Sequence, residues 1–184
     1  MNNTQKKKIL AISGSTRKES VNLHIIKAFA DLSSGDLEIH IYDQLEKLPH
    51  FNPDLDNDSV PEMVTELRNK ITEADGVLIC TPEYVFSLPG SLKNVIEWMV
   101  STTVFSDKPV ALITASALGE KAHEALLLIM RTIQAKFNEC TQLLISGARS
   151  KVNSNGDVTD ETTLSKIKEL AASFTEALND TTEK

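Results

Sequence analysis

The sequence has only two cysteines, Cys80 and Cys140. That excludes a disulfide scaffold, and neither has the spaced partners of a metal site. No stretch approaches the roughly 18 consecutive apolar residues of a membrane-spanning helix. Met1 to Lys8 is polar and basic, and the apolar stretch Ile9 to Ile12 is too short for the core of a secretion signal. The cytoplasm is the expected location. Positive charge is also short: 19 Lys and Arg against 26 Asp and Glu give a formal net charge of −7. That balance argues against nucleic acid or an anionic membrane as partner. Neither a GxGxxG turn nor a GxxxxGKS/T loop occurs, which sets aside a dinucleotide fingerprint and a nucleotide-hydrolysing P-loop. Internal repeats and low-complexity stretches are absent too.

What is present is a regular alternation. Short apolar runs at Lys8–Ser13, Leu37–Tyr42, Gly76–Cys80, Pro109–Thr114 and Thr141–Ile145 read as strands. Amphipathic stretches follow at Val21–Leu32, Val60–Ala74, Pro89–Val100, Lys121–Lys136 and Thr162–Leu178. Five such pairs imply a parallel sheet covered on both faces, an α/β fold. The 184 residues suit one domain at roughly 150 residues per domain, with 179–184 as a flexible tail. In open sheets of this kind ligands bind at the carboxyl ends of the strands. The segments after Ser13, Cys80 and Thr114 are therefore the candidate site.

The first segment runs Gly14-Ser15-Thr16-Arg17-Lys18-Glu19-Ser20-Val21-Asn22. It leads into a helix whose free N–H groups and dipole favour an anion. Ser15, Thr16 and Ser20 add hydroxyl donors, Arg17 a forked cation and Asn22 an amide. Helix capping accounts for one of these hydroxyls but not for three and an arginine. The set points to a phosphate monoester. The second segment runs Thr81-Pro82-Glu83-Tyr84-Val85-Phe86-Ser87-Leu88-Pro89-Gly90. Pro82 and Pro89 stiffen it. Its N–H groups can read the polar edge of a flat heterocycle, and its aromatics can border the face. Trp98, in mid-helix, reads as core or subunit interface.

GSTRxxSxN after the first strand, followed by PEYxxSxPGxLKNxIEW after the third, resembles the NADPH-dependent FMN reductase family. The resemblance covers about Lys8 to Leu178, and Leu48 to Asp54 is similar to that family's second-strand loop. It implies a flavodoxin-like three-layer α/β/α sandwich, with a five-stranded parallel sheet in the order 2-1-3-4-5. It implies FMN as cofactor and NADPH or NADH as hydride donor. The acceptor is a small molecule: free flavin, a quinone, an azo compound or chromate. Ser15, Arg17, Ser20 and Asn22 would hold the FMN phosphate, with Thr16 and Val21 contributing backbone. Pro82, Glu83, Tyr84, Val85 and Phe86 would line the isoalloxazine, largely through main-chain atoms, and Ser116 and Gly119 its other side. No catalytic side chain is implied, because the flavin carries the chemistry. Two positions depart from the family pattern. Val85 stands where relatives often have Asn or His, and Ser116-Ala117-Leu118-Gly119 lacks the usual Gly-Gly.

Other features read more plainly. Asp54-Leu55-Asp56-Asn57-Asp58 starts like a calcium loop but lacks the required Gly and Glu, so a solvated acidic loop is expected. The 17-residue connection Asp43 to Ser59 is long enough to be functional or locally ordered. His24, His40, His50 and His123 have no ligand spacing, and His50 and His123 are weak candidates for substrate contact. Leu126 to Met130 puts five apolar residues in a row, about 400° of helical rotation. One sheet-facing stripe does not need that many, so a subunit interface is expected. Relatives in the family are dimers or tetramers, and a homodimer or homotetramer follows. The competing functions are a flavodoxin-like electron carrier, favoured by the acidic Asp43 to Asp58 segment, and a non-catalytic FMN-binding module.

Overall fold

The computed structural model describes residues 6–180. Five strands form one sheet: β1 (Lys7–Ser13), β2 (Leu37–Tyr42), β3 (Gly76–Thr81), β4 (Val110–Ser116) and β5 (Gln142–Ser146). Their order is β2-β1-β3-β4-β5 and every pairing is parallel. The helices are α1 (Val21–Leu32), α2 (Glu62–Glu73), α3 (Gly90–Met99), α4 (Glu120–Thr132) and α5 (Glu161–Asn179). The fold is the expected flavodoxin-like sandwich.

The central strands β1, β3 and β4 lie deep because both faces are covered. Along β3, Val77 and Ile79 face one apolar cluster while Leu78 and Cys80 face the other. This is the two-residue period of a pleated strand. The first cluster takes α2, α3 and α4 and centres on Trp98, which is wholly buried. Trp98 is therefore core. The second takes α1 and α5, where Phe29 and Phe174 stack at a tilt with centroids 6.5 Å apart. At the far end of the sheet, Lys108 Nζ donates to the carbonyls of Ala74 (2.6 Å) and Thr72 (3.2 Å). It thereby closes the carboxyl end of α2.

Two expected boundaries move. The fourth helix does not reach Lys136. It stops at Thr132, and Gln134 turns the chain back with φ of 62°. Lys136 then bridges Pro109 alongside the sheet. Ile133, Ala135 and Phe137 pack on the core from this returning segment, which mimics a helical spacing in sequence. The last helix runs on through Asn179, so the expected tail does not begin there; residues 181–184 lie outside the described residues.

The connection Asp43 to Ser59 is ordered locally by two short 3-10 turns, Leu45–Lys47 and Pro53–Leu55. Trp98 Nε1 and Asn94 Nδ2 both donate to the Pro49 carbonyl (2.8 and 3.0 Å). Asn94 Oδ1 accepts from Phe51 N (2.7 Å), and the Phe51 ring meets Trp98 edge-on. Arg68 pairs with Asp56 at 2.8 Å and also donates to the Trp98 carbonyl. The polar tips of α2 and α3 thus hold this loop down.

Candidate functional site

The carboxyl ends of β1, β3, β4 and β5 open onto one cavity of about 550 Å³, within the size range of small-molecule sites. Its floor starts at the loop between β1 and α1. Gly14 N donates to the Cys80 carbonyl (2.8 Å), carrying the sheet one residue further. A side chain at Gly14 would overlap the Thr81 hydroxyl, so only glycine lets the loop leave so close to β3. Ser13 Oγ donates to the Ser15 carbonyl (3.2 Å) and fixes the turn. Ser20 caps α1: its Oγ accepts from Asn22 N (3.2 Å), leaving the hydroxyl proton available to a ligand. The first turn of this twelve-residue helix carries no acidic residue, so its positive end stays uncompensated.

Asn22 is buried, and its side chain already has partners. Nδ2 donates to the Ala115 carbonyl (3.4 Å), and Oδ1 accepts from Cys80 Sγ (3.3 Å). This ties α1 to β3 and β4 beneath the cavity. Burial pushes the Cys80 thiol far above its ordinary pKa. Ser15, Arg17, Ser20, Val21, Asn22, Pro82, Tyr84 and Ser116 all line the cavity. Thr16 turns instead to a neighbouring cavity on the β2 side.

The loop between β3 and α3 is a tight two-residue turn. Tyr84 and Ser87 exchange both backbone hydrogen bonds at 3.0 Å. Val85 and Phe86, between them, have φ of 52° and 58°. Positive φ at both central positions defines a type I′ turn, which Asn and Gly suit and a β-branched residue does not. Both side chains project into solvent, with 95% and 72% of their surface exposed. They stand at the rim and do not form the wall. The Glu83 side chain turns to α4. Its Oε2 accepts from Ala122 N (2.9 Å) at the start of α4, whose own N-cap, Gly119, has no side chain. The loop after β3 thereby caps the helix after β4.

Gly119 lies behind the cavity wall. With φ of 97° it is buried, and a Cβ there would come within 2.9 Å of Leu144. Its role is to start α4 close against β5. The weak candidates sort out similarly. His123 is half-buried and shares a hydrogen bond with Thr114 (3.0 Å) behind that wall, where burial lowers its pKa. His50 is exposed on the Asp43 to Ser59 connection. Among the described residues no group of three or more His, Cys, Asp or Glu converges to hold a metal, and no helix is long and apolar enough to cross a membrane.

Gly147, Ala148, Arg149 and Ser150, after β5, complete the wall and had no signal in the sequence. They belong to no motif. The sheet order brings them there, and backbone bonding holds them: Gly147 N donates to the Ala117 carbonyl (3.0 Å) and Ser146 Oγ to the Leu118 carbonyl (2.8 Å). Arg149 gives the cavity a second guanidinium besides Arg17.

A parallel 2-1-3-4-5 sheet with a hydroxyl-rich anion cradle at its first helix defines a flavodoxin-like, nucleotide-binding α/β protein. The particular family follows from comparison. The chain belongs to the NADPH-dependent FMN reductase family, whose model matches residues 7–149. It is 32% identical to an NADH:(hydroxy)cinnamate reductase subunit of Vibrio ruber, over 90% of this chain and 84% of that one. It is 31% identical to an NADPH:quinone oxidoreductase of Arabidopsis thaliana, over 91% of this chain and 89% of the other. The flavoenzyme NAD(P)H:acceptor oxidoreductase FerB of Paracoccus denitrificans superposes with a TM-score of 0.75 at 27% identity, covering 95% of this chain and 98% of its own. The chain is thus an FMN-dependent NAD(P)H oxidoreductase.

The residues present fit that cofactor. A phosphate dianion suits an uncompensated helix end beside Ser15, Ser20 and Arg17. An apolar ring suits the Pro82, Tyr84 and Ala115 to Ala117 portion of the same cavity.

Proposed function

We propose that the protein reduces quinones or similarly planar conjugated acceptors at the expense of NADPH or NADH. The observation that carries this is one continuous cavity with a cationic, hydroxyl-lined end and a flat apolar end. The names of the Arabidopsis relative and of a 2-hydroxy-1,4-benzoquinone reductase from Burkholderia, 32% identical over 85% of this chain, favour the quinone class.

In this reading Ser15, Arg17 and Ser20 hold the phosphate, with the α1 N-terminus behind them. Asn22 sets the floor, since its amide is committed to Ala115 and Cys80. Pro82 and Tyr84 border the ring on one side, and Ser116 and Ala117 on the other. FMN, when bound, supplies the hydride chemistry. The chain's own work is to fix the ring against a stiff turn, keep water from the buried floor and leave one face open for the donor and then the acceptor. The Val85–Phe86 tip gives that open face an apolar rim.

The same reading makes the protein one domain, since both apolar clusters share the single sheet. It also makes it a homodimer. Leu128 on α4 and Val100 at the end of α3 expose 66% and 63% of their surface, side chains that a second copy would cover. The cytoplasm, with its nicotinamide pool, is the fitting location.

The test is a visible spectrum of the protein loaded with FMN and freed of excess. Bound yellow absorbance should bleach on anaerobic NADPH and return on adding 1,4-benzoquinone. A colourless protein overturns the site assignment. Bleaching without reoxidation by the quinone overturns the acceptor.

A further inference from the structure

The lining of the candidate site carries two guanidinium groups, Arg17 and Arg149, and no carboxylate. That is unusual in a chain with 26 acidic and 19 basic residues. Arg17 comes from the motif between β1 and α1, whereas Arg149 comes from the connection after β5. The fold mounts Arg149 firmly. It stands in a 3-10 turn, Ala148–Lys151, which Gly147 opens with φ of 65°. Ser150 N and Oγ both donate to the Gly147 carbonyl (3.0 and 2.8 Å). Ala148 is buried, and Lys151 Nζ, the other cation of the turn, is committed to Thr163 Oγ1 (3.1 Å) at the start of α5. Further on, Gly156 has φ of 90° and leaves no room for a Cβ, because the His24 ring lies against it. His24 N in turn donates to the carbonyl of Ser20, the cap of α1 (3.1 Å). The connection that carries Arg149 is thus braced against the same helix end that Arg17 precedes.

We infer that Arg149 is a second phosphate ligand, joining Arg17 on the phosphomonoester of FMN, and that it sets the preference of the site for FMN over unphosphorylated riboflavin. The inference rests on the reading above, which puts that phosphate at the N-terminus of α1. Three points carry it. The first is the side of the sheet. Ala148 and Val152 pack into the apolar cluster of α1 and α5, together with Val21 of the first α1 turn. The Pro82–Tyr84 loop feeds α3, which covers the opposite face. Arg149 therefore belongs to the phosphate end of the cavity and not to its ring end. The second is charge. A phosphomonoester carries about −1.5 to −2 at pH 7, so one guanidinium leaves it only partly neutralised. No carboxylate in the lining competes for the other. The third is chemistry. A guanidinium stays charged at all working pH values and forks onto two phosphate oxygens. Among the described residues the Arg149 guanidinium makes no ion pair. Other basic residues are unpaired too; what sets Arg149 apart is its place in this cavity beside Arg17.

The test is flavin binding by the full chain stripped of flavin, titrated with FMN and separately with riboflavin, and followed by the quenching of flavin fluorescence. Arg149 is exposed, so changing it does not touch the core. Arg149→Gln should raise the Kd for FMN about tenfold and leave that for riboflavin within about twofold. Arg149→Lys keeps the charge but not the fork, and its Kd for FMN should fall between those of wild type and Arg149→Gln. Equal weakening of both flavins by Arg149→Gln means that the arginine supports the turn alone, and overturns the inference. Unchanged binding of both overturns it as well. The guanidinium would then be left to an anionic acceptor, seen as a KM raised for 2-hydroxy-1,4-benzoquinone, which is ionised at neutral pH, and not for 1,4-benzoquinone. Each of these outcomes leaves the reductase reading intact. Wild-type protein that binds neither flavin overturns that reading itself.

Discussion

Val85 is the residue most at odds with its backbone. A β-branched side chain in the left-handed region costs about 1–2 kcal/mol, because Cβ crowds the following carbonyl. The turn keeps it there because both Tyr84–Ser87 hydrogen bonds require it. Val85→Asn should therefore stabilise the fold by about 1 kcal/mol and raise the melting temperature by roughly 2–4 °C, read by thermal unfolding. The sequence carried half of this. The departure from the family's Asn or His was visible at that position, but the sign of φ was not, since nothing local in Tyr84-Val85-Phe86-Ser87 spells a I′ turn. His123 gives a pH dependence. Burial sets its folded pKa below the ordinary 6.5, so the unfolded chain takes up the proton first. Stability should be full above pH 6.5 and fall as pH drops through the window down to the folded pKa. Chemical denaturation from pH 7 to about pH 5 should show that slope, and His123→Gln should flatten it. A histidine in a loop after a strand looks like a substrate contact in sequence; its bond to Thr114 makes it a wall support.

At the scale of elements, the strands and most helix boundaries were legible because the central strands β1, β3 and β4 are buried on both sides and carry near-continuous apolar runs, while β2 at the edge keeps a clear apolar–polar alternation. What was not legible is how loops support each other across the sheet. Glu83 belongs to a motif that the sequence assigns to ring contact through its main chain, and its carboxylate serves α4. A carboxylate at a helix N-terminus satisfies an orphan N–H and meets the dipole. Glu83→Ala should destabilise by about 1 kcal/mol, and hydrogen exchange at Ala122 and His123 should quicken while that of α1 stays unchanged. Glu83→Gln, which keeps an acceptor, should lose less. The wall after β5 was missed for a related reason: Gly147-Ala148-Arg149-Ser150 has no chemical signature until the sheet order sets β5 beside β4. The overlong fourth helix had the opposite cause. Ile133, Ala135 and Phe137 earn their apolar character from the core they meet as a returning segment, not from a helix face.

For the molecule as a whole, the sequence indicated a surplus of apolar side chains on α4, and the fold shows which of them are surplus. Leu126 and Met130 are buried, whereas Leu128 is mostly exposed. Wild-type protein should sediment at twice the 20.2 kDa chain mass, and Leu128→Glu should shift it to one chain with the flavin spectrum unchanged. One arrangement beneath the cavity bears on durability. Quinones are electrophiles that arylate thiols, so an enzyme handling them is exposed to chemical self-damage. Cys80 sits under the cavity floor, but its Sγ–H is engaged by Asn22 and burial withholds the reactive thiolate. Cys140 lies exposed in the turn Glu139–Thr141. Protein incubated with excess 1,4-benzoquinone should gain one adduct by intact mass, at Cys140, and Cys140→Ser should gain none while turning over for just as long. The sealed thiol would then act as a form of chemical armour, built into the same bond that anchors α1 to the sheet.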